Sequence, residues 1–82
     1  MKLPRDLSGP DLAKALRSFG YEATRQTGSH MRLTTQQGGE HHVTIPCHAT
    51  LLVGTLAGIL GEVANHFELS RDELVPRLFG KF

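Results

Sequence analysis

The chain has little of what marks a secreted or membrane-bound protein. It contains one cysteine, Cys47, which cannot close an internal disulfide, so a disulfide-stapled scaffold is excluded. No apolar segment approaches the roughly 20 residues that a membrane span needs, and the short run at residues 51–53 stops at Gly54. Residues 1–6 lack the apolar stretch of a signal peptide. We therefore expect a cytoplasmic protein.

Excess charge of one sign is also missing. Nine Lys and Arg residues against eight Asp and Glu residues leave a formal net charge of +1, which is not that of an autonomous nucleic-acid binder. If RNA is the ligand, the basic residues must be clustered where the phosphates pass. The 82 residues suffice for one small domain, which is only marginally stable alone.

The first regular element is an amphipathic helix. Ser8 is a candidate N-cap, Pro10 fits the first turn, and Asp11 follows Ser8 at the spacing of a capping box. Gly20 is a natural C-terminal stop. The buried face recurs at helical spacing: Leu12, Ala15, Leu16 and Phe19.

Three strands follow, predicted at residues 21–26, 30–35 and 41–46. A two-residue loop in the first hairpin would pair Met31 with Gln26, whereas a three-residue loop at residues 27–29 pairs Met31 with Arg25. The longer loop keeps the apolar side chains together, so we prefer it. The two faces are then Tyr21, Ala23, Met31 and Leu33 on one side and Thr24, Gln26, His30 and Arg32 on the other, with Arg25 at the rim of the apolar side.

The C-terminal third predicts two helices. The first begins near Gly54 and buries an apolar stripe, and Gly58 and Gly61 within it would permit close approach to the sheet or to a partner. A break at residues 65–69 precedes a capping box from Ser70. Pro76 should shorten or kink the last helix. The predicted stripe is Leu56, Ile59, Leu60 and Val63.

These elements predict an α+β fold in the order α-β-β-β-α. Three antiparallel strands would have helices on one face only, with a short C-terminal helix added. This is the architecture of a double-stranded-RNA-binding domain.

Within this frame, one run of residues resembles a known family. GYEATRQTGSH at residues 20–30 is similar to the hallmark of the HicA toxins, and VTIP at residues 43–46 followed by His48 agrees with it. GTL at residues 54–56 resembles the start of the family's last core helix. The resemblance implies one HicA-like domain over residues 1–82, with a core at about 8–64 and a helical extension at 70–79.

The resemblance also implies an activity and partners. It implies a metal-independent endoribonuclease of a type II toxin–antitoxin system that cleaves mRNA without a cofactor, with His30 as the catalytic residue, and a HicB-like antitoxin that covers this histidine. Such toxins are usually distinctly basic, whereas this chain is not.

The chemistry of the residues is compatible with this activity. RNA carries its own nucleophile, the 2′-hydroxyl, and a histidine can remove its proton near neutral pH. Arg25 or Arg32 would contact the phosphate, as would the backbone N–H groups of Gly28 and Ser29. A second histidine on the third strand, His42, is a candidate general acid only if it lies on the same face.

Other interpretations stay open at this point. His30 can be a plain turn histidine, and the two arginines can be solvated charges on the sheet. The protein can also be a non-catalytic RNA-binding module or a subunit that only binds an antitoxin. His41, His42, Cys47 and His48 are of types that suit zinc, but their spacing matches no finger, so we predict no metal site.

Overall fold

The computed structural model describes residues 6–80. Its elements follow the predicted α-β-β-β-α order with a third helix at the end. They are α1 (Gly9–Leu16), a 3₁₀ helix (Arg17–Phe19), β1 (Glu22–Thr27), β2 (His30–Thr35), β3 (His41–Pro46), α2 (Val53–His66) and α3 (Arg71–Phe79).

Helix α1 begins at the predicted cap, Ser8, but ends at Leu16, and a 3₁₀ helix continues it to the predicted stop, Gly20. The Ser8 hydroxyl accepts a hydrogen bond from the Asp11 backbone N–H at 3.0 Å. The 3₁₀ helix that extends α1 is closed by Gly20 at a φ of 82°, a conformation in which glycine carries no Cβ penalty. Leu12 and Leu16 are fully buried, so α1 lies on the core with the predicted face.

The three strands form one antiparallel sheet in the order β1-β2-β3. Leu33, Val43 and Ile45 point into the core, and all three helices cover that side. The opposite side carries exposed polar residues, and we call it the open face. The α+β architecture with helices on one face is therefore confirmed.

The register of the first hairpin differs from the prediction. The loop has two residues, Gly28 and Ser29, so Met31 pairs with Gln26 and the predicted three-residue loop is wrong. The pairing of Leu33 with Ala23 is nevertheless as predicted. Both pairings hold because β1 contains a β-bulge between Ala23 and Arg25, which places one extra residue in that strand.

The bulge changes which side chains face solvent. Arg25 lies directly opposite Arg32, and directly paired residues share a face of the sheet. Arg25 therefore belongs to the open face and not to the rim of the apolar side. Gln26, which was predicted on the open side, instead shares the covered side with Met31, because the two residues are directly paired.

Helix α2 buries its predicted apolar stripe, but its glycines do not bring the helix close to the sheet. A Cβ added at Gly54, Gly58 or Gly61 would meet no atom within 4 Å. The prediction that Gly58 and Gly61 allow close approach to the sheet is therefore wrong, and their contact with a partner stays a prediction. The helix also runs two residues into the predicted break, to His66.

The C-terminal helix is held by a complete capping box. The Ser70 hydroxyl accepts from the Glu73 N–H at 3.1 Å, and the Glu73 carboxylate accepts from the Ser70 N–H at 2.9 Å. Hydrogen bonding of the Glu73 carboxyl to the backbone and then to the side chain of Ser70 lowers the pKa of this carboxyl. Pro76 lies inside α3, which nevertheless continues through it to Phe79. Leu74 and Val75 add α3 to the core.

Candidate functional site

The first hairpin holds His30 at a fixed place on the open face. Gly28 has a φ of 56° and Ser29 a negative φ, which is the pattern of a two-residue type II′ turn. His30 then begins the central strand, paired with Thr27 on one side and Pro46 on the other. The Ser29 carbonyl accepts a backbone hydrogen bond from Cys47 at 2.6 Å. Backbone pairing on both sides thus fixes His30, while its side chain stays exposed.

His30 lines a shallow depression of about 250 Å³ together with residues from all three strands. We call it the cationic depression. Its lining residues are Arg25, Thr27, His30, Arg32 and Thr44. The depression combines a histidine, two guanidinium groups and two hydroxyls, a set able to bind an anion and to move a proton.

The two arginines are an unfavourable pair unless something lies between them. Arg25 and Arg32 are directly opposite, which brings their Cβ atoms to about 4.5–5.5 Å. Among residues 6–80, neither guanidinium forms an ion pair with a carboxylate. Like charges in this position destabilise a strand pair. An anion bound by both would remove the repulsion, and guanidinium groups match phosphate well.

The turn itself contributes further donors beside His30. Within the described chain, the backbone N–H groups of Gly28 and Ser29 donate to no other residue. Both residues are exposed, and the space around Gly28 is open. The predicted site residues Gly28, Ser29, Arg25, Arg32 and His30 therefore lie together at one end of the open face.

The other end of the open face carries a chain of hydrogen bonds across the strands. The Thr24 hydroxyl lies 3.0 Å from the Thr34 hydroxyl, which lies 2.7 Å from His42 Nδ1. His42 Nε2 in turn donates to the Glu40 carboxylate at 3.1 Å. We call these four residues the threonine–histidine chain. Sequence reasoning did not single out Thr34 or Glu40, although strand alternation does place Thr34 beside His42.

His42 meets the condition set for a general acid but lies too far away. It shares the open face with His30, because it pairs with Thr34 on β2. Thr34 is four residues from His30, which at about 3.3 Å per residue amounts to about 13 Å along the strand. A single phosphate cannot contact both histidines.

A third histidine group lies on the covered side of the sheet. The Tyr21 hydroxyl is 2.7 Å from His41 Nδ1, and the His41 ring stacks on His66 with centroids 4.4 Å apart. Burial, then the neighbouring His66, lower the pKa of His41, while burial and Glu62 raise the pKa of Tyr21 to about 12. His66 Nε2 donates to the carbonyls of Gln37 and Gly39, so this group ties the β2–β3 turn to α2.

The described residues hold no cluster suited to a metal ion. No three His, Cys, Asp or Glu side chains come together between residues 6 and 80. His41 and His42 point to opposite faces of the sheet, as strand alternation requires.

The apolar run at residues 51–53 is divided between core and surface. Leu51 is buried, whereas Leu52 is 75% and Val53 72% exposed. In the part of the chain that the structure describes, no helix is long and apolar enough to cross a membrane. Leu52 and Val53 thus form a small exposed apolar pair at the start of α2.

Comparison with known proteins shows the family of the chain. The family described as "HicA toxin of bacterial toxin-antitoxin" matches residues 9–64, which is more than half of the 82-residue chain. The matched part runs from the start of α1 through the sheet into α2 and includes the whole cationic depression. No curated protein and no solved structure matches the chain significantly. The chain belongs to the HicA family of bacterial toxin–antitoxin toxins.

Proposed function

We propose that this toxin is a metal-independent endoribonuclease that cleaves mRNA in the cytoplasm, with His30 as its catalytic residue. The observation that supports the proposal most is the β-bulge in β1. It brings Arg25 opposite Arg32 and beside His30, so that a proton acceptor and two phosphate ligands line one depression. A plain turn histidine would need neither arginine.

In the proposed reaction, His30 removes the proton from the 2′-hydroxyl next to the scissile phosphate. The 2′-oxygen forms a bond to phosphorus, and the bond between phosphorus and the 5′-oxygen breaks. The products are a 2′,3′-cyclic phosphate and a 5′-hydroxyl, whose oxygen takes a proton from water because His42 is out of reach. His30 later returns its own proton to solvent.

The surrounding donors stabilise the charge that develops on phosphorus oxygens. Arg25 and Arg32 approach from neighbouring strands, and the free N–H groups of Gly28 and Ser29 approach from the turn. Donors that are fixed before the reaction stabilise the transition state more than mobile ones do. Strand pairing fixes the backbone of both arginines and the turn fixes that of Gly28 and Ser29, so we expect these donors to begin close to the scissile phosphate.

A cleavage assay in EDTA tests the proposal. We expect the wild-type protein to cut RNA with the chelator present and the His30→Ala variant to lose about 100-fold or more in rate, the typical contribution of a general base. His48→Ala is the matched control, since His48 is also exposed but lies outside the cationic depression. Equal cleavage by wild type and His30→Ala would remove His30 from the mechanism, and binding without cleavage would favour a non-catalytic module.

The proposed partner is a HicB-like antitoxin that covers the cationic depression. An antitoxin can neutralise the two arginines with carboxylates of its own and can bury the exposed Leu52 and Val53. Coexpression with such a partner should give a copurifying complex that no longer cleaves RNA. A complex that keeps full cleavage would show that the antitoxin does not cover His30.

A further inference from the structure

The open face has a second depression whose chemistry differs from that of the first. It measures about 450 Å³ and lies at the opposite end of the sheet, where Thr34 takes the place of His30. We call it the amide–hydroxyl depression. Its lining residues are Gly20, Glu22, Thr24, Thr34, Gln36 and Gln37. No lysine or arginine is among them, so it is not built for a phosphate.

One wall of this depression is fixed before any ligand arrives. Thr24 and Thr34 belong to the threonine–histidine chain, and the Glu40 carboxylate anchors that chain through His42. The hydroxyl of Thr34 is therefore engaged on two sides, by Thr24 and by His42. Side chains held in this way lose little freedom on binding, which favours selective recognition.

Glu22 makes the amide–hydroxyl depression negatively charged. It lies directly opposite Thr34 on the edge strand and contributes a carboxylate, which only accepts hydrogen bonds when ionised. A carboxylate here repels phosphate and carbonyl oxygens and attracts N–H groups. Base edges supply such groups as exocyclic amines, which cytosine, adenine and guanine carry, whereas uracil has only an imino N3–H between two carbonyl oxygens that the carboxylate repels.

The position of the depression suits a nucleotide next to the cleavage point. Both depressions lie on the same open face and are about 13 Å apart along β2. An RNA strand that places a phosphate between Arg25 and Arg32 can therefore continue over the sheet toward Glu22. Single-stranded RNA is recognised in this way, with the backbone held at one point and a base edge read at another.

We propose that the amide–hydroxyl depression is a base subsite that accepts a nucleobase with an exocyclic amino group and rejects uracil. The proposal rests on RNA being the ligand of the open face, as proposed above. Glu22 is its specificity-determining residue and Thr34 its positioning residue. The subsite would make the toxin avoid uridine at one position near the cleaved bond.

Binding of two pyrimidine oligomers tests the subsite without cleavage. The His30→Ala variant is titrated with fluorescent oligo(C) and oligo(U) of equal length, which differ at the base edge by an amino group against a carbonyl and by an unprotonated against a protonated N3. We expect oligo(C) to bind about fivefold more tightly or better, the lower end of what one good base contact gives. Adding Glu22→Gln should bring the ratio of the oligo(C) to the oligo(U) binding constant close to one, because an amide can also donate to the uracil carbonyl.

Two further variants separate the subsite from general effects. Thr34→Val keeps the shape of the side chain but breaks the threonine–histidine chain, so it should lower the ratio while circular dichroism stays unchanged. Glu68→Gln removes an exposed carboxylate in the α2–α3 link and should leave the ratio as it was. Equal binding of both oligomers, or a ratio that survives Glu22→Gln, overturns the subsite.

The two proposals fail in different ways. Discrimination between the oligomers without cleavage by the His30-bearing protein would keep the subsite and overturn the nuclease. Cleavage with no discrimination would keep the nuclease and overturn the subsite. Failure to bind either oligomer, together with failure to cleave RNA, would overturn both.

Discussion

Among single residues, His41 has the clearest consequence for stability. Tyr21, His66, Glu62 and His42 surround it, and burial lowers its pKa from the ordinary 6.5. The native state therefore favours neutral His41, and well above pH 6.5 neither the native nor the unfolded state protonates it. Below that pH the unfolded chain binds more protons, so this contribution to stability is lost as the pH falls.

Urea unfolding between about pH 8 and about pH 5 tests this contribution of His41 to stability, because that range spans histidine titration. We expect the free energy of unfolding of the wild type to fall toward acid pH more steeply than that of His41→Gln, which cannot titrate. The carboxylates are the same in both proteins, so their contribution cancels in the difference. Parallel curves for the two proteins would contradict the assignment.

Arg25 shows why part of the site could not be predicted. Strand alternation assumes one residue opposite one residue, and on that assumption Arg25 falls on the apolar side. One extra residue in β1 reverses this. No residue type in the stretch of alanine, threonine and arginine at positions 23–25 favours a bulge, since bulges depend on pairing with the neighbouring strand.

At the scale of elements, the turn before His30 depends on the backbone conformation of one glycine. Gly28→Val should lower the free energy of unfolding by about 1–3 kcal/mol, because a β-branched residue is strained at a φ of 56°. Space is not the cause, as a Cβ at Gly28 would meet no atom within 4 Å. RNA cleavage should fall as well, since the turn sets the position of His30.

Gly58→Ala is the matched control for this glycine. Its Cβ would also enter open space, but Gly58 lies inside α2, where alanine is favoured by up to about 1 kcal/mol. The two substitutions should therefore change thermal unfolding in opposite directions. An unchanged melting temperature for Gly28→Val would contradict the turn described above.

The helices were predictable for reasons that the hairpin lacks. The first and last helices begin at local caps, the Ser8 cap and the Ser70–Glu73 box, and the buried faces follow a repeated spacing. The end of α2 and Pro76 are the exceptions, because α2 runs two residues into the predicted break and α3 continues through the proline. Packing of Leu74 and Val75 in the core holds α3 in place despite the proline.

At the scale of the whole molecule, a net charge of +1 conceals a division of the open face. Arg25 and Arg32 lie at one end with His30, and Glu22 and Glu40 lie at the other. The positive charges of one end cancel the negative charges of the other in the net charge of the chain, although each end presents a distinct charge to a ligand. A near-neutral chain can thus hold a phosphate at one place without attracting nucleic acid everywhere.

This division predicts a weak dependence of RNA binding on salt. With two phosphate contacts, the logarithm of the binding constant should fall with the logarithm of salt concentration at a slope of about −1.4, since each contact on a single strand contributes about −0.7. The His30→Ala variant, which does not consume its RNA, is the protein to titrate. Arg25→Gln should remove about one phosphate contact and bring the slope to about −0.7, and the added Arg32→Gln should bring it near zero.

Lys14→Gln and Arg17→Gln serve as controls for this slope. Both residues are exposed on the first helix and its 3₁₀ extension, on the covered side of the sheet, so neither variant should change the slope. If the two α1-side variants reduced the slope as much as the strand variants do, RNA would lie across the helices and the open face would lose its role. A slope several times steeper than predicted would mean that the charge of the whole molecule, and not the pair Arg25 and Arg32, holds the RNA.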